Sequence, residues 1–189
     1  MAIDTRDILL LRHAHAEAAG PGQADLDRPL SPEGQAEAEA AGRWLLEHRL
    51  LPDLVLCSPA RRTRETLEAV LAVIGYVDQR LEPAIYDATP GTLAALADGH
   101  RDLGRLMLVG HNPGLERLAA LLHSGQSGDY RGMPPGAIAH RVASRGSRRT
   151  GRCASARQAA PGRGCGRPAS AGRDRDGRRP GPPGSGVAS

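Results

Sequence analysis

Residues 8–13 read ILLLRH, four consecutive aliphatic side chains that lead directly into an arginine and a histidine. A short apolar run of this kind is typical of a strand buried on both faces. The pattern recurs twice, because residues 54–62 read LVLCSPARR and residues 106–113 read LMLVGHNP. Each of the three segments therefore predicts a buried strand that ends in polar, reactive side chains.

Helical patterns lie between these strands. Ser31 and Pro32 predict a helix start, because serine caps helices and proline is favoured at the first helical position. The apolar stripe of this helix is predicted to be Ala36, Ala40, Ala41, Trp44 and Leu45. Further helices are predicted over residues 66–74, after Pro90 and over residues 115–122, with a weak strand at residues 84–86. The alternation predicts an α/β fold of three layers, a mostly parallel sheet with helices on both faces.

The composition divides the chain into two parts. Residues 1–140 hold 13 Arg, no Lys and 19 acidic residues, whereas residues 141–189 hold 12 Arg and only two acidic residues. In the second part Val142 and Val187 are the only aliphatic residues larger than alanine. Such a segment buries too little apolar area to offset roughly 1–2 kcal/mol of backbone entropy per ordered residue. We predict a domain over residues 1–140 and a disordered tail over residues 141–189, rich in Arg, Gly, Ala, Pro and Ser.

Several classes of protein are excluded by what the sequence lacks. No apolar run approaches the roughly 20 residues of a membrane span, and the first residues show no secretory signal. The three widely spaced cysteines make neither a disulfide framework nor a metal site. Glycine-rich nucleotide loops are missing as well. We expect a cytoplasmic protein with no cofactor and no membrane partner.

The reactive side chains are expected to meet at one edge of the sheet. Sites in open α/β sheets form beyond the carboxyl ends of the strands, and the first predicted strand ends in Arg12 and His13. The second leads to Arg62 and the third to His111, each followed by a helix whose N-terminus favours anions. Imidazoles beside guanidiniums suit a phosphoryl group, and the same arginines would repel a divalent cation, so no metal is expected.

Five segments resemble the histidine phosphatase superfamily, whose fold is phosphoglycerate mutase-like. They are LLLRHAHA (9–16), DRPLSPEGQAEAEAAGRWL (27–45), CSPARRTRET (57–66), YDATPGTLAAL (86–96) and LVGHNPGLERLAALL (108–122). Within that superfamily the RPLS, Tyr-Asp-Ala and GHNPG segments most resemble the small SixA-type phosphohistidine phosphatases. The resemblance covers residues 7–139. It ends where the family continues with an apolar closing strand and this chain turns to His140 and Arg141.

The resemblance implies roles for four residues. His13 is the expected nucleophile, which forms a phosphohistidine on the enzyme, and nearby guanidiniums lower its pKa and keep the imidazole neutral. Arg12 and Arg62 resemble the family's phosphate clamp. His111 resembles the second catalytic histidine, which stabilises the transferring group.

Other residues are assigned more loosely. Arg28 matches a further phosphate-contacting arginine of the SixA-type branch, and Asn112 is a candidate for substrate binding. Glu82 and Asp87 are the only acids in the region where many relatives carry an acid for an alkoxide leaving group, and we take Asp87 as the candidate. SixA-type enzymes are similar in lacking a clear acid, which fits an imidazole leaving group. His15 lies at the mouth of the site or in solvent.

Several functions follow as alternatives. The first is hydrolysis of phosphohistidine on a protein partner, and the second is hydrolysis of small phosphorylated metabolites. A third is an inactive remnant whose reading frame has shifted near residue 140, so that the tail is out-of-frame translation and the closing strand is lost. The basic tail is otherwise an inert segment or an arm that binds nucleic acid.

Overall fold

Strands and helices alternate along residues 5–128 and 132–144, the part of the chain that the computed structural model describes. The strands of this part are β1 (Thr5–Arg12), β2 (Leu54–Cys57), β3 (Asp78–Leu81), β4 (Arg105–Gly110) and β5 (Ile138–Ser144). Its α-helices are α1 (Pro32–Glu47), α2 (Arg61–Ile74), α3 (Pro90–Gly99) and α4 (Gly114–Ser124). Two short 3-10 helices cover Asp25–Asp27 and Pro83–Ile85.

The five strands form one mixed sheet in the order β3-β2-β4-β1-β5. Strands β1, β2, β3 and β4 run parallel to one another, and the edge strand β5 is antiparallel to β1. The carboxyl ends of β1, β2 and β4 therefore lie side by side at one edge, where Arg12 pairs with Gly110 and Cys57 with Val109. The predicted α/β class and mostly parallel sheet are confirmed.

Each central strand contributes alternate side chains to two cores. One face of β1, β2 and β4 packs against α3 and α4, and its core includes Leu10, Leu56, Leu108, Leu93 and Leu115. The opposite face packs against α1 and α2, and its core includes Leu9, Val55, Met107, Leu45 and Val70. Because both faces are covered, the central strands read as unbroken apolar runs, and the three-layer prediction is confirmed.

The buried face of α1 differs from the predicted stripe. Ser31 caps the helix as predicted, with its hydroxyl accepting the backbone N–H of Gly34. Ala36 and Ala40 are exposed, whereas the buried residues are Gly34, Ala38, Ala41, Gly42 and Leu45. A Cβ at Gly34 would lie 2.0 Å from the carbonyl oxygen of His15, so the helix packs there through glycine. The alanines of α1 lie on both its buried and its exposed side, and for that reason the apolar pattern did not locate the contact.

Two expectations about the strands need correction. The weak strand predicted at residues 84–86 is wrong, because Pro83–Ile85 form a 3-10 helix and the strand beside β2 is the earlier, wholly exposed Asp78–Leu81. The alternative in which the closing strand is lost after His140 is also wrong. Strand β5 continues to Ser144 and pairs with β1 from Ile138 opposite Leu11 to Ser144 opposite Thr5. Ladder hydrogen bonds need no apolar side chain, so an edge strand tolerates Arg141.

The boundary between domain and tail therefore shifts. Residues 141–144 belong to the sheet rather than to the predicted tail. The predictions for the rest of the tail, whether disordered segment, nucleic-acid arm or out-of-frame product, lie outside the described residues.

Candidate active site

The predicted site residues meet where three strands end. His13 follows β1, Ser58 follows β2 and His111 follows β4, while Arg62 lies in the first turn of α2. The ring centroids of His13 and His111 are 5.1 Å apart, and Nη2 of Arg62 lies 3.3 Å from Nδ1 of His111. The parallel sheet thus brings together residues 98 positions apart in the chain, as the strand pattern predicted.

Hydrogen bonds set the orientation of His13. Its backbone N–H donates to the carbonyl oxygen of Gly110, and its Nδ1 lies 2.8 Å from the carbonyl oxygen of Ala14. A carbonyl oxygen only accepts, so Nδ1 carries the proton and Nε2 of the neutral ring keeps its lone pair. The hydroxyl of Thr66 accepts the N–H of Ala14 and so holds this turn in place.

His13 is held neutral by its surroundings. Burial lowers its pKa to about 4, with further lowering by Arg62, Arg12 and Arg28 and an opposing contribution from the hydrogen bond to Ala14. The uncharged form therefore predominates at neutral pH, as a nucleophilic imidazole requires.

His111 is fixed in the opposite tautomer. The guanidinium of Arg62 donates to its Nδ1, so the proton of the neutral ring sits on Nε2, 2.8 Å from the hydroxyl oxygen of Ser58. Burial and then Arg62 lower the pKa of His111 to about 3. His111 is therefore also uncharged at neutral pH, with its donor and acceptor atoms assigned.

Two guanidiniums retain donors with no acceptor. The side chain of Arg62 is only 7% exposed. Nη1 of Arg12 donates to the carbonyl oxygen of Met133 at 2.7 Å. The Nε atoms of Arg12 and Arg62 are buried without a hydrogen-bond partner among the described residues. Leaving such a donor unpaired is costly, and an oxyanion bound between the two side chains would satisfy it.

A carboxylate that the sequence did not reveal lies among these arginines. Asp25 accepts from Nη2 of Arg62 at 2.9 Å, from Nη1 of Arg28 at 3.0 Å and from the hydroxyl of Tyr86 at 2.7 Å. Its backbone oxygen accepts from Nη1 of Arg62 as well. The hydrogen bonds from Tyr86, Arg28 and Arg62 hold the pKa of Asp25 far below its usual value. Asp25 is therefore firmly ionised.

The remaining predicted residues have different positions. Arg28 reaches the site, where it binds Asp25. Asn112 donates from Nδ2 to the carbonyl oxygen of Met133. Arg12 donates to the same oxygen, so the two side chains share one acceptor. Asn112 also lines the same cavity as Arg62 and His111, so its role in substrate binding stays a prediction.

Asp87, Glu82 and His15 occupy different positions relative to the site. Asp87 is exposed and lines a cavity of about 440 Å³ together with Asp25, Arg62 and His111. Glu82 instead caps the 3-10 helix by accepting the N–H of Ala84. His15 is exposed and lies 2.7 Å from the hydroxyl of Ser31, at the start of α1. Glu82 and His15 therefore do not belong to the cluster formed by the two site histidines, Arg62 and Asp25.

Residues 5–128 and 132–144 contain neither a metal-binding cluster nor a membrane-spanning helix. No group of three or more His, Cys, Asp or Glu side chains is placed to hold a metal ion there. In the same part of the chain, every helix is too short or too polar to cross a membrane.

Comparison with known proteins defines the class. The sequence profile of the histidine phosphatase superfamily (branch 1) matches residues 8–103, so the chain belongs to this superfamily. An uncharacterized chloroplastic protein of Arabidopsis thaliana is 35% identical over 135 residues, and the match spans 62% of this chain and 59% of that protein.

Solved structures place the chain near one branch of the superfamily. A crystal structure from Agrobacterium tumefaciens, assigned as the phosphohistidine phosphatase SixA, is 34% identical with a TM-score of 0.66, covering 71% of this chain and 90% of that one. A second, from Nakamurella multipartitia and assigned in the same way, is 32% identical with a TM-score of 0.61, covering 73% and 84%. This chain is therefore SixA-like, and the resemblance drawn from its sequence is confirmed.

Proposed function

We propose that this chain is a phosphohistidine phosphatase, which removes a phosphoryl group from a histidine of a protein through a covalent phosphohistidine on His13. The observation that carries the proposal is the orientation of His13. Its Nδ1 proton is donated to Ala14, and its Nε2 lone pair is available beside His111 and the arginines. The likeness to two structures assigned as SixA supports the same activity.

The reaction has two displacements at phosphorus. In the first, Nε2 of His13 attacks, the P–N bond of the substrate breaks, and its electron pair stays on the departing imidazole. In the second, water attacks the phosphohistidine, and the pair of that P–N bond returns to Nε2 as phosphate leaves. The buried Nε atoms of Arg12 and Arg62 supply donors for the charge that spreads over the phosphoryl oxygens. No step requires a metal ion.

The acids of the site favour a P–N substrate. An alkoxide leaving group needs a proton from a general acid, and efficient acids have a raised pKa. Asp25 is held ionised by three donors, so it is unsuited to that task. An imidazole leaves without such an acid once its other ring nitrogen carries a proton. Hydrolysis of small phosphomonoesters is the second candidate function, and the observation in its favour is that Asp87 lines the cavity.

The test is phosphate release by the full-length protein from a phosphohistidine peptide and from 4-nitrophenyl phosphate. We expect turnover of the peptide, loss of that turnover in His13→Ala, and retention in His123→Ala, which removes an exposed imidazole at the end of α4. Rapid quenching should trap a phosphoenzyme that is labile to acid and stable to alkali.

The outcomes separate the candidates. A clear preference for 4-nitrophenyl phosphate would transfer the assignment to a phosphomonoesterase and make Asp87→Asn the next variant. Equal turnover by wild type and His13→Ala, or no turnover by a soluble protein, would overturn the proposal.

A further inference from the structure

The cavity beside the arginine cluster lies where a leaving group would depart. It has a volume of about 440 Å³, and it adjoins Arg62 and His111, whereas His13 is not among the residues that line it. In phosphoryl transfer the attacking and leaving atoms are roughly in line through phosphorus. A phosphoryl group attacked by His13 therefore directs its leaving group away from His13, and this cavity, which Arg62 and His111 line and His13 does not, is the space that we assign to it.

Asp25 presents an ionised acceptor to the cavity. Its carboxylate takes three hydrogen bonds, from Arg62, Arg28 and Tyr86, and about four lone-pair positions are available on a carboxylate. The side chain is 51% exposed and lines the cavity, so the acceptor capacity that these bonds leave is open to a substrate. Arg62 and Tyr86 both donate to Oδ2 and Arg28 alone donates to Oδ1, so Oδ1 is the oxygen with acceptor capacity to spare.

The chemistry of P–N cleavage supplies the partner for this acceptor. When the bond from phosphorus to one ring nitrogen breaks, its electron pair remains on that nitrogen. If the other ring nitrogen already carries a proton, the product is neutral imidazole. Without that proton the product is an imidazolate anion, a far poorer leaving group. The reactive form of the substrate is therefore a phosphorylated imidazolium with one N–H donor.

We infer that Asp25 accepts this N–H and is the residue that selects phosphohistidine over phosphomonoesters. The inference rests on the proposed function. The carboxylate stabilises the cationic ring and hands over no proton, so no group on the enzyme changes protonation as the ring departs. An alkoxide or phenolate offers no donor and carries negative charge, which the same carboxylate repels. One side chain thus favours one class of leaving group and disfavours the other.

Asp25 also holds Arg62 and Arg28, and a purely structural role must be separated from this one. Loss of a support for the arginines would weaken every phosphoryl substrate in the same direction. Loss of an acceptor for the imidazole would weaken only the P–N substrate. The ratio of the two activities is therefore the informative quantity.

The variant is Asp25→Asn, which keeps the size of the side chain and removes its charge. Asp27→Asn is the matched control, since it makes the same charge change on the same exposed 3-10 helix, and the hydrogen bonds at Asp27 come from its backbone. The kcat/KM values for a phosphohistidine peptide and for 4-nitrophenyl phosphate are measured for each protein. For Asp25→Asn we expect the ratio of the peptide value to the ester value to fall about 10- to 100-fold, as for loss of a charged hydrogen bond, whatever common change the loss of support for the arginines causes in both.

Each outcome decides between the readings. An equal fall for both substrates would show that Asp25 only supports the arginines, and no change for the peptide would show that it does not touch the ring. Either result would overturn the inference and leave the proposed function standing if the wild type hydrolyses the peptide. Failure of the wild type to hydrolyse the peptide would instead refute the proposed function itself.

Discussion

Replacing Arg62 by alanine removes the most heavily engaged guanidinium of the site. Its terminal nitrogens contact Asp25 and His111 over 2.6–3.3 Å, and its buried Nε has no acceptor among the described residues. Removal of one donor that stabilises transition-state charge typically costs about 10²–10³ in rate, or roughly 2.7–4 kcal/mol. We expect kcat/KM for phosphoryl substrates to fall by that factor in Arg62→Ala. Stability should change by about 1 kcal/mol or less, since Asp25, the partner of the ion pair, is half exposed.

The neighbouring Arg61 provides the control within the same helical turn. It is exposed and pairs with Glu65 one turn further along α2, so Arg61→Ala should alter kcat/KM by no more than about twofold. Arg62→Lys keeps the charge but loses the planar fork, and an intermediate rate is expected. Retention of more than a tenth of the activity by Arg62→Ala would refute the clamp assignment. Equal losses for Arg61→Ala and Arg62→Ala would assign the effect to the start of the helix.

Three further predictions concern acidity, packing and reactivity. Because His13 has a pKa of about 4 and must be unprotonated to attack, kcat/KM for 4-nitrophenyl phosphate should stay level as pH falls through 6.5 and decline only near 4; a midpoint near 6.5 would contradict this. In urea unfolding, Gly34→Ala should lose about 1–3 kcal/mol because its Cβ meets the carbonyl of His15, whereas Gly99→Ala, with no atom within 4 Å of its Cβ, should gain about 0.5–1 kcal/mol. Burial raises the pKa of Cys57 to about 12, so peptide mapping should find it unalkylated by iodoacetamide at pH 8 unless the protein is unfolded.

The three central strands were predictable because they are buried on both faces. Ile8, Val55 and Met107 lie in short continuous apolar runs and are almost fully buried, as is typical of strands covered on both faces. Strand β3 was not predictable in the same way, since every residue of Asp78–Leu81 is exposed and its pairing with β2 uses backbone groups alone. Strand β5 was missed for a different reason: it is mostly half-buried, but His140 and Arg141 interrupt its apolar pattern.

The meeting of the site residues at one edge of the sheet was predictable, because a parallel sheet brings the carboxyl ends of its strands together. Arg12, His13 and His111 needed only the positions of β1 and β4. Asp25 was not predictable, because it lies in a 3-10 helix of only three residues, too short for an apolar periodicity, and an acid contradicts the simple expectation of a cationic phosphate site. Its partner Tyr86 lies 61 residues away, and only the folded chain shows that they meet.

The charge of Asp25 also bears on how the product leaves. Arg62 and Arg28 both donate to this carboxylate, so a phosphate ion held by the same guanidiniums shares its donors with a second anion. Like charges repel, and the shared site binds phosphate less tightly than the arginines alone would. Asp25→Asn should therefore lower the inhibition constant of phosphate by about tenfold, less at high salt, with Asp27→Asn unchanged. Weaker inhibition in Asp25→Asn would mean that the carboxylate is needed to aim the arginines, and that its support outweighs its repulsion.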